Sequence, residues 1–193
     1  MNTRPYRMSA RADSVAETGS RILDAALVHF AQDPVDRIRL EEIARTAGVT
    51  VPTIVRRFGG KAGVIVALVE RELALLAARR TAHADDPVEV VLRDLVEHYE
   101  RYGVLILKVY AEAPLIEGLA EVAAHARSYH VAWCRETFAR RIAGNPAVHA
   151  RRLAATIAVC DATTWRILRH DGGLDPDEVR AALRELLEPI VAG

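Results

Sequence analysis

Apolar residues recur at helical spacing along almost the whole chain, and no segment of any length alternates between apolar and polar residues. The clearest helix start combines Asp175 as a cap, Pro176 in the first turn and Glu178 at the third position. After it, apolar residues repeat at i, i+4, i+7, i+8 and i+11, as Val179, Leu183, Leu186, Leu187 and Ile190. Because a half-buried strand needs alternation, the sequence predicts an all-α fold of about nine helices.

Cap and turn residues divide this pattern into regions. Ser14 and Glu17 have the spacing of a capping box, which predicts the start of a first helix that Asp33-Pro34 ends. Residues 1–13, with three arginines around a proline, are predicted to form a flexible arm. The predicted regions are the arm (1–13), a small helical domain (14–62) and a larger helical domain (63–193).

The larger domain holds most of the predicted helices. A long fourth helix begins at Lys61. Its predicted inward residues are Val64, Leu68 and Leu75. A fifth helix follows Pro87, and Gly103 is predicted to break or kink it. Asn145 is predicted to cap a later helix with one continuous apolar stripe. That stripe consists of Leu153, Ile157, Cys160, Thr164 and Ile167.

Composition excludes several classes of protein. No stretch approaches the ~20 apolar residues of a membrane helix, and the N-terminus lacks the apolar core of a secretory signal, so we expect a cytoplasmic protein. Cys134 and Cys160 match neither a disulfide framework nor a metal spacing, and we expect no metal and no cofactor. The net charge is zero, but residues 1–62 hold ten Arg and Lys against seven Asp and Glu, while the remainder holds sixteen against nineteen. The slight basic excess lies in the first 62 residues, which comprise the arm and the small domain.

Residues 40–58 have the features of two short helices that cross through a tight turn. Ala44 and Ala47 are small enough for a close crossing, and Gly48 tolerates positive φ. The predicted inward residues are Val49, Ile54 and Phe58. The predicted outward residues are Val51, Pro52, Thr53, Arg56 and Arg57. Short residues let a helix approach base edges, and arginines reach guanine or phosphate, so this face indicates a helix-turn-helix that reads DNA.

Within residues 18–70, a set of positions resembles, in register, the N-terminal domain of tetracycline-repressor-type regulators. They are Ile22 to Ala26, Phe30, Glu42 to Ala44, Ala47 to Thr50, Thr53, Ile54, Arg57, Phe58 and Lys61. The resemblance implies a three-helix DNA-binding domain followed by a helical ligand-binding and dimerisation domain. It also implies a sequence-specific transcriptional regulator, a repressor that a small-molecule effector releases from DNA.

The resemblance also assigns DNA contacts to individual residues. The implied phosphate contacts are Thr50, Thr53, Arg57 and Lys61. The residues implied to lie nearest bases are Val51, Pro52 and Arg56. Simpler alternatives stay open for some of them: Thr50 as a helix cap only, Arg56 and Arg57 as solvated surface, and Lys61 as the start of the fourth helix only.

Three positions depart from the family pattern. Val55 replaces a tyrosine that commonly contacts phosphate, Arg39 replaces a threonine cap and Pro34 replaces a glycine. These departures affect the expected geometry and affinity of the domain, and they leave the predicted class of protein unchanged.

The resemblance further implies a homodimer formed through the last two helices, which would place two recognition helices on a palindromic double-stranded operator. It implies an effector pocket among the central helices. The candidate lining residues are Tyr99, Tyr102, Tyr110, His130, Trp133 and Trp165. Aromatic residues at helical spacing are also typical of a core, and that alternative stays open.

Two other classes of function compete with a DNA-binding regulator. An enzyme would need a nucleophile with a base, paired carboxylates or a metal cluster, and no such motif appears, so we predict that the chain is not an enzyme. A helical adaptor would use the small domain to bind protein, without the salt dependence of DNA binding. Among regulators, an activator is the alternative to a repressor.

Overall fold

The computed structural model describes residues 4–79 and 84–191, with side chains from 15 to 78 and from 84 to 191. Within these ranges every regular element is helical, which confirms the all-α prediction. The α-helices there are α1 (Arg4–Gln32), α2 (Leu40–Ala47), α3 (Val51–Phe58), α4 (Lys61–Arg79), α5 (Val88–Glu112), α6 (Leu119–Phe138), α7 (Pro146–Val159), α8 (Ala162–Arg166) and α9 (Pro176–Val191). None of the helices in these ranges is both long and apolar enough to cross a bilayer.

The first helix is longer than the sequence predicts. It begins at Arg4, so the predicted start at the Ser14 capping box is wrong, and most of the segment predicted to be a flexible arm is helical. Residues 6–18 contain neither glycine nor proline, so no residue there interrupts a helix once it has begun. Residues 1–3 of the predicted arm lie outside the described residues.

One compact unit comprises Met1–Leu75 and Glu112–Val122. Its fully buried side chains include Leu119 of α6 and, from α1 to α4, Ile22, Phe30, Ile43, Ile54, Val64 and Leu68. The prediction for Leu75 is wrong, because that residue is 47% exposed. Leu75 lies on the same helical face as Val64 and Leu68, but it is the last residue of this stretch of the unit, and the neighbouring Leu76 is buried instead.

The other compact unit comprises Leu76–Ala111 and Ala123–Gly193. Its core combines residues of α5, α6, α7, α8 and α9, among them Leu92, Tyr99, Trp133, Phe138, Cys160, Trp165, Val179 and Leu183. Helix α5 continues through Gly103, so the predicted break there is wrong. A Cβ atom at Gly103 would lie 2.7 Å from Cε3 of Trp165, which shows that the glycine makes room for an aromatic ring.

The stripe predicted on one helix after Asn145 belongs to two helices. Asn145 does cap α7, accepting a hydrogen bond from Val148 N at 3.0 Å, but α7 ends at Val159. Asp161 then caps α8 by accepting from Thr163 N at 2.8 Å. A five-residue π-helical turn (Ile167–Asp171) follows directly. Because the helix restarts at Asp161, the stripe loses its register, and Ile167 is 48% exposed instead of buried.

Helix α9 begins as the sequence predicts. Asp175 Oδ1 accepts hydrogen bonds from Asp177 N and Glu178 N, both at 2.9 Å. Glu178 Oε2 accepts in return from Asp175 N at 2.8 Å, which completes a capping box. Three of the five predicted apolar positions, Val179, Leu183 and Leu187, are buried, whereas Leu186 is 46% exposed.

Candidate nucleic-acid interface

The turn between α2 and α3 has the predicted geometry. Gly48 adopts φ 65°, and its backbone N–H points to the carbonyls of Ala44 and Arg45. Val49 N–H also donates to Ala44 O at 2.9 Å, so the turn closes back onto the end of α2. Ala44 and Ala47 are both buried, as the close crossing of the two helices requires.

Helix α3 is fixed to the domain by one side. Ile54 is completely buried, whereas Val49 and Phe58, which were also predicted to be inward, are half-buried. Gly59, with φ 81°, ends the helix and donates to Val55 O at 2.8 Å. The short helix is therefore held at its middle by Ile54 and closed at its end by a glycine.

The opposite side of α3 faces solvent. Pro52 and Arg56, one helical turn apart, are exposed, and Thr53 beside them is half-buried. Arg57 is exposed at one edge of this face, and Val55, at 45% exposure, lies at the other. The face thus combines small side chains near its N-terminal end with two guanidinium groups near its C-terminal end.

Thr50 occupies the N-cap position of α3, in extended conformation, but its side chain makes no capping hydrogen bond. Its Oγ1 lies 3.0 Å from Oγ1 of Thr53 instead. The carbonyl of Thr50 accepts from Thr53 N and Ile54 N, so the backbone alone begins the helix. The two hydroxyl groups that the family resemblance implies as phosphate contacts therefore lie side by side on the surface.

Arg57 lies against Gly19, a residue of α1 outside the predicted set of site residues. A Cβ atom at Gly19, in the middle of α1, would lie 2.6 Å from Cζ of Arg57. The guanidinium also lies 5.6 Å from the ring centroid of Phe58. A glycine inside a long helix, away from any turn, was the available signal in the sequence, since it often marks a close approach by another group.

Lys61 begins α4, and its ammonium group contacts the segment between α1 and α2. Nζ donates to Val35 O at 2.8 Å, to Ile38 O at 3.1 Å and to Asp36 O at 3.3 Å. Its predicted contact with phosphate stays a prediction, and in this conformation all three donors are engaged within the chain.

The six residues predicted to line an effector pocket all lie in the second unit, where Tyr99, Trp133 and Trp165 belong to its hydrophobic core. Tyr99 and Trp165 are core residues with ring centroids 5.9 Å apart, and Tyr99 Oη donates to Cys160 O at 2.7 Å. His130 and Trp133, both buried, stack at 6.3 Å on α6. The remaining two, half-buried, each lie under an arginine: Tyr102 under Arg101 and Tyr110 under Arg127.

An open cleft of about 510 Å³ lies between α5 and the start of α9. It is lined by Arg93, Val96, Glu97, Glu100, Arg101, Pro176, Asp177 and Arg180. None of the six predicted pocket residues lines this cleft. The prediction of an effector pocket therefore stays a prediction.

The sequence of residues 22–68 matches the family described as bacterial regulatory proteins, tetR family. An uncharacterized HTH-type transcriptional regulator of Mycobacterium bovis is 32% identical over 94 residues, which are 49% of this chain and 49% of that protein. A regulator of the same description from Mycobacterium tuberculosis matches equally well. The match spans about half the length of these curated relatives.

Solved structures with the same fold cover most of the chain. A tetR-family transcriptional regulator from Streptomyces coelicolor covers 90% of this chain and 83% of its own, with a TM-score of 0.68 and 17% identity. NalD, the secondary repressor of the MexAB-OprM multidrug efflux pump in Pseudomonas aeruginosa, covers 93% of this chain and 98% of its own, with a TM-score of 0.64 and 20% identity. At these identities the likeness establishes the fold.

Proposed function

Since this chain belongs to the tetR family of bacterial regulatory proteins, we propose that it is a sequence-specific DNA-binding transcriptional regulator. The observation that carries the proposal is the exposed face of α3. That face presents Pro52, Thr53, Arg56 and Arg57 on a helix held by the buried Ile54. A rigid helix with small side chains and guanidinium groups on one side has the dimensions and chemistry to enter the major groove.

Within this function, the residues of the face have separate roles. Pro52 and Arg56 lie opposite the buried side, where a docked helix would meet base edges, with Val51 beside them. The hydroxyl groups of Thr50 and Thr53 and the guanidinium of Arg57 contact phosphates, which fix the register of the helix on the duplex. The aliphatic side chain of Val55 cannot hydrogen-bond to phosphate. The edge of the helix that carries Val55 therefore binds the DNA backbone less strongly than the edge that carries Arg57.

The active species is a cytoplasmic homodimer on a palindromic operator, and its mode of action is repression relieved by a small-molecule effector. Repression is the usual mode in the family, and a protein of the same fold, NalD, is described as a repressor. Relief would require an effector that binds more tightly to a conformation whose recognition helices do not fit the operator. We do not expect the chain to be an enzyme, in keeping with a family of regulators.

The first test is binding of the purified protein to the DNA upstream of its own gene and its neighbours, with footprinting at near-physiological salt. Saturable protection of a palindrome supports the proposal and supplies the operator for an effector screen. Binding no tighter than to scrambled DNA of the same composition contradicts it.

The matched pair of variants is Arg56→Ala and Arg135→Ala. Both remove one exposed arginine, from α3 and from α6 respectively. We expect Arg56→Ala to weaken operator binding by about 5- to 150-fold, since a base-contacting arginine contributes about 1–3 kcal/mol. Arg135→Ala should bind as the unmodified protein does. Equal binding by both variants would favour the alternative of a helical adaptor, and protein capture by the small domain would then be the next measurement.

A further inference from the structure

The ammonium group of Lys61 is saturated by hydrogen bonds within the chain. It donates to Val35 O, Asp36 O and Ile38 O at 2.8–3.3 Å, and an ammonium group has three donors. The bonds to Val35 and Ile38 are partly buried. To reach a phosphate, the side chain would have to leave these carbonyls, and breaking partly buried, charge-assisted hydrogen bonds is costly.

These carbonyls lie at the entrance to α2, where the helix has no cap of its own. Arg39 holds the N-cap position in extended conformation, and its side chain makes no capping hydrogen bond. Ile38, whose carbonyl Lys61 binds, directly precedes it. Lys61 therefore fixes the position of the start of α2 by contacts from outside that helix, as a side-chain cap at position 39 would otherwise do.

The first turn of α4, which carries Lys61, is also fixed against the end of α3. A Cβ atom at Gly63 would overlap the carbonyl oxygen of Phe58 and lie 2.9 Å from its carbon. Only glycine permits this approach, so the base of the Lys61 side chain cannot move independently of α3. One turn of helix thus holds both ends of the helix-turn-helix: the entrance to α2 through Lys61 and the exit from α3 through Gly63.

We propose that Lys61 is a positioning residue, which fastens the entrance of α2 to α4 and thereby sets the orientation of the recognition helix, and that it does not bind DNA phosphate. The DNA-binding readout of this inference rests on the proposed function, but its structural readout does not. The side chain acts on the operator only through the position of α2 and α3.

The experiment compares Lys61→Met, Lys61→Arg and Arg57→Met in the full chain. Thermal unfolding of the free protein and operator affinity over a range of salt concentrations are measured for each. For Lys61→Met we expect Tm to fall by about 4 °C or more and operator binding to weaken by the same factor at every salt concentration. Arg57→Met removes an exposed charge, so it should leave Tm nearly unchanged and make the slope of log affinity against log salt shallower by about 0.9 for each lost phosphate contact.

Lys61→Arg separates charge from geometry. A planar guanidinium keeps the charge but cannot reproduce the three-carbonyl contact of a compact ammonium group, so we expect this variant also to lose Tm and affinity without a change in slope. A shallower slope for Lys61→Met, or Tm and affinity of Lys61→Arg equal to those of the unmodified protein, overturns the inference. If the unmodified protein binds no operator, the proposed function fails, while the Tm values still decide whether Lys61 fastens the domain.

Discussion

At the scale of single residues, two buried glycines inside helices each leave room for a side chain from another part of the chain, and the two side chains differ. Gly19 in α1 lies under the guanidinium of Arg57, and Gly103 in α5 lies against the ring of Trp165. The guanidinium is the end of a flexible side chain, whereas the ring belongs to a residue that is only 2% exposed. The same substitution should therefore have opposite consequences at the two positions.

We predict that Gly103→Ala destabilises the protein by about 1–3 kcal/mol, the usual cost of forcing an extra methyl group into a packed core. The new Cβ would overlap the Trp165 ring, which donates from Nε1 to Glu100 Oε1 at 2.8 Å and is held in place by that bond. Urea unfolding followed by tryptophan fluorescence measures the change.

Gly19→Ala is the matched control. The arginine can move aside, and alanine is favoured over glycine in a helix by up to about 1 kcal/mol, so this variant should be as stable as the unmodified protein or more so. Equal losses of stability in the two variants would mean that the contact with Trp165 is not what requires glycine at position 103.

At the scale of whole helices, the N-terminal ends of α3 and α9 differ although the sequence marks both with a capping residue. The Asp175 carboxylate accepts two backbone hydrogen bonds, whereas the Thr50 hydroxyl accepts none and lies against Thr53. Only the first side chain therefore stabilises its helix by capping, which leaves the Thr50 hydroxyl at the surface of the recognition helix.

We predict that Asp175→Ala lowers the free energy of unfolding by about 1 kcal/mol, as expected for a lost cap, and that Thr50→Ala changes it by much less. Thr50→Ala should instead weaken operator binding. Urea titrations of both variants at one protein concentration, followed by operator binding, provide the comparison. A loss of stability in Thr50→Ala as large as that in Asp175→Ala would show that the threonine caps α3 in solution.

The same contrast shows which features of a helix the sequence encodes locally. The Asp175 box, the positive φ of Gly48 and the buried Ile54 depend on residues within one or two turns, and each was predicted correctly. The contact between Gly103 and Trp165 joins residues far apart in the chain, and no local sequence pattern predicts it. The restart at Asp161 was missed because a single cap residue inside an apolar stripe gives a weaker signal than the stripe itself.

The candidate site follows the same rule. The outward face of α3 could be predicted because it depends on the spacing of neighbouring residues. The carbonyl groups that Lys61 contacts belong to residues 23 to 26 positions away along the chain. The contact between Arg57 and Gly19 likewise joins α3 to α1. Such contacts arise from tertiary packing, so the sequence could name these residues but not their partners.

At the scale of the whole molecule, the second compact unit leaves apolar side chains exposed near its C-terminal end. Leu186 on α9 is 46% exposed and Ile167, in the turn after α8, is 48% exposed. The neighbouring Val179, Leu183 and Leu187 are buried within the unit, so α9 has one face for the core and an apolar position outside it. These exposed positions suit the proposed homodimer, in which the last two helices of each subunit pack together.

We predict that Leu186→Glu converts the dimer to a monomer, because it places a charge where apolar side chains of two subunits would meet. Val104→Glu is the control, since Val104 on α5 is 65% exposed and should tolerate the same change without loss of the dimer. Sedimentation equilibrium measures the oligomeric state of each variant.

A monomer presents one recognition helix instead of two linked ones, so its operator affinity should fall by about a hundredfold or more, with protection of single half-sites only at high concentration. A Leu186→Glu variant that stays dimeric and protects the full palindrome would place the interface on another surface of this unit, and Val104→Glu would then be the first variant to re-examine.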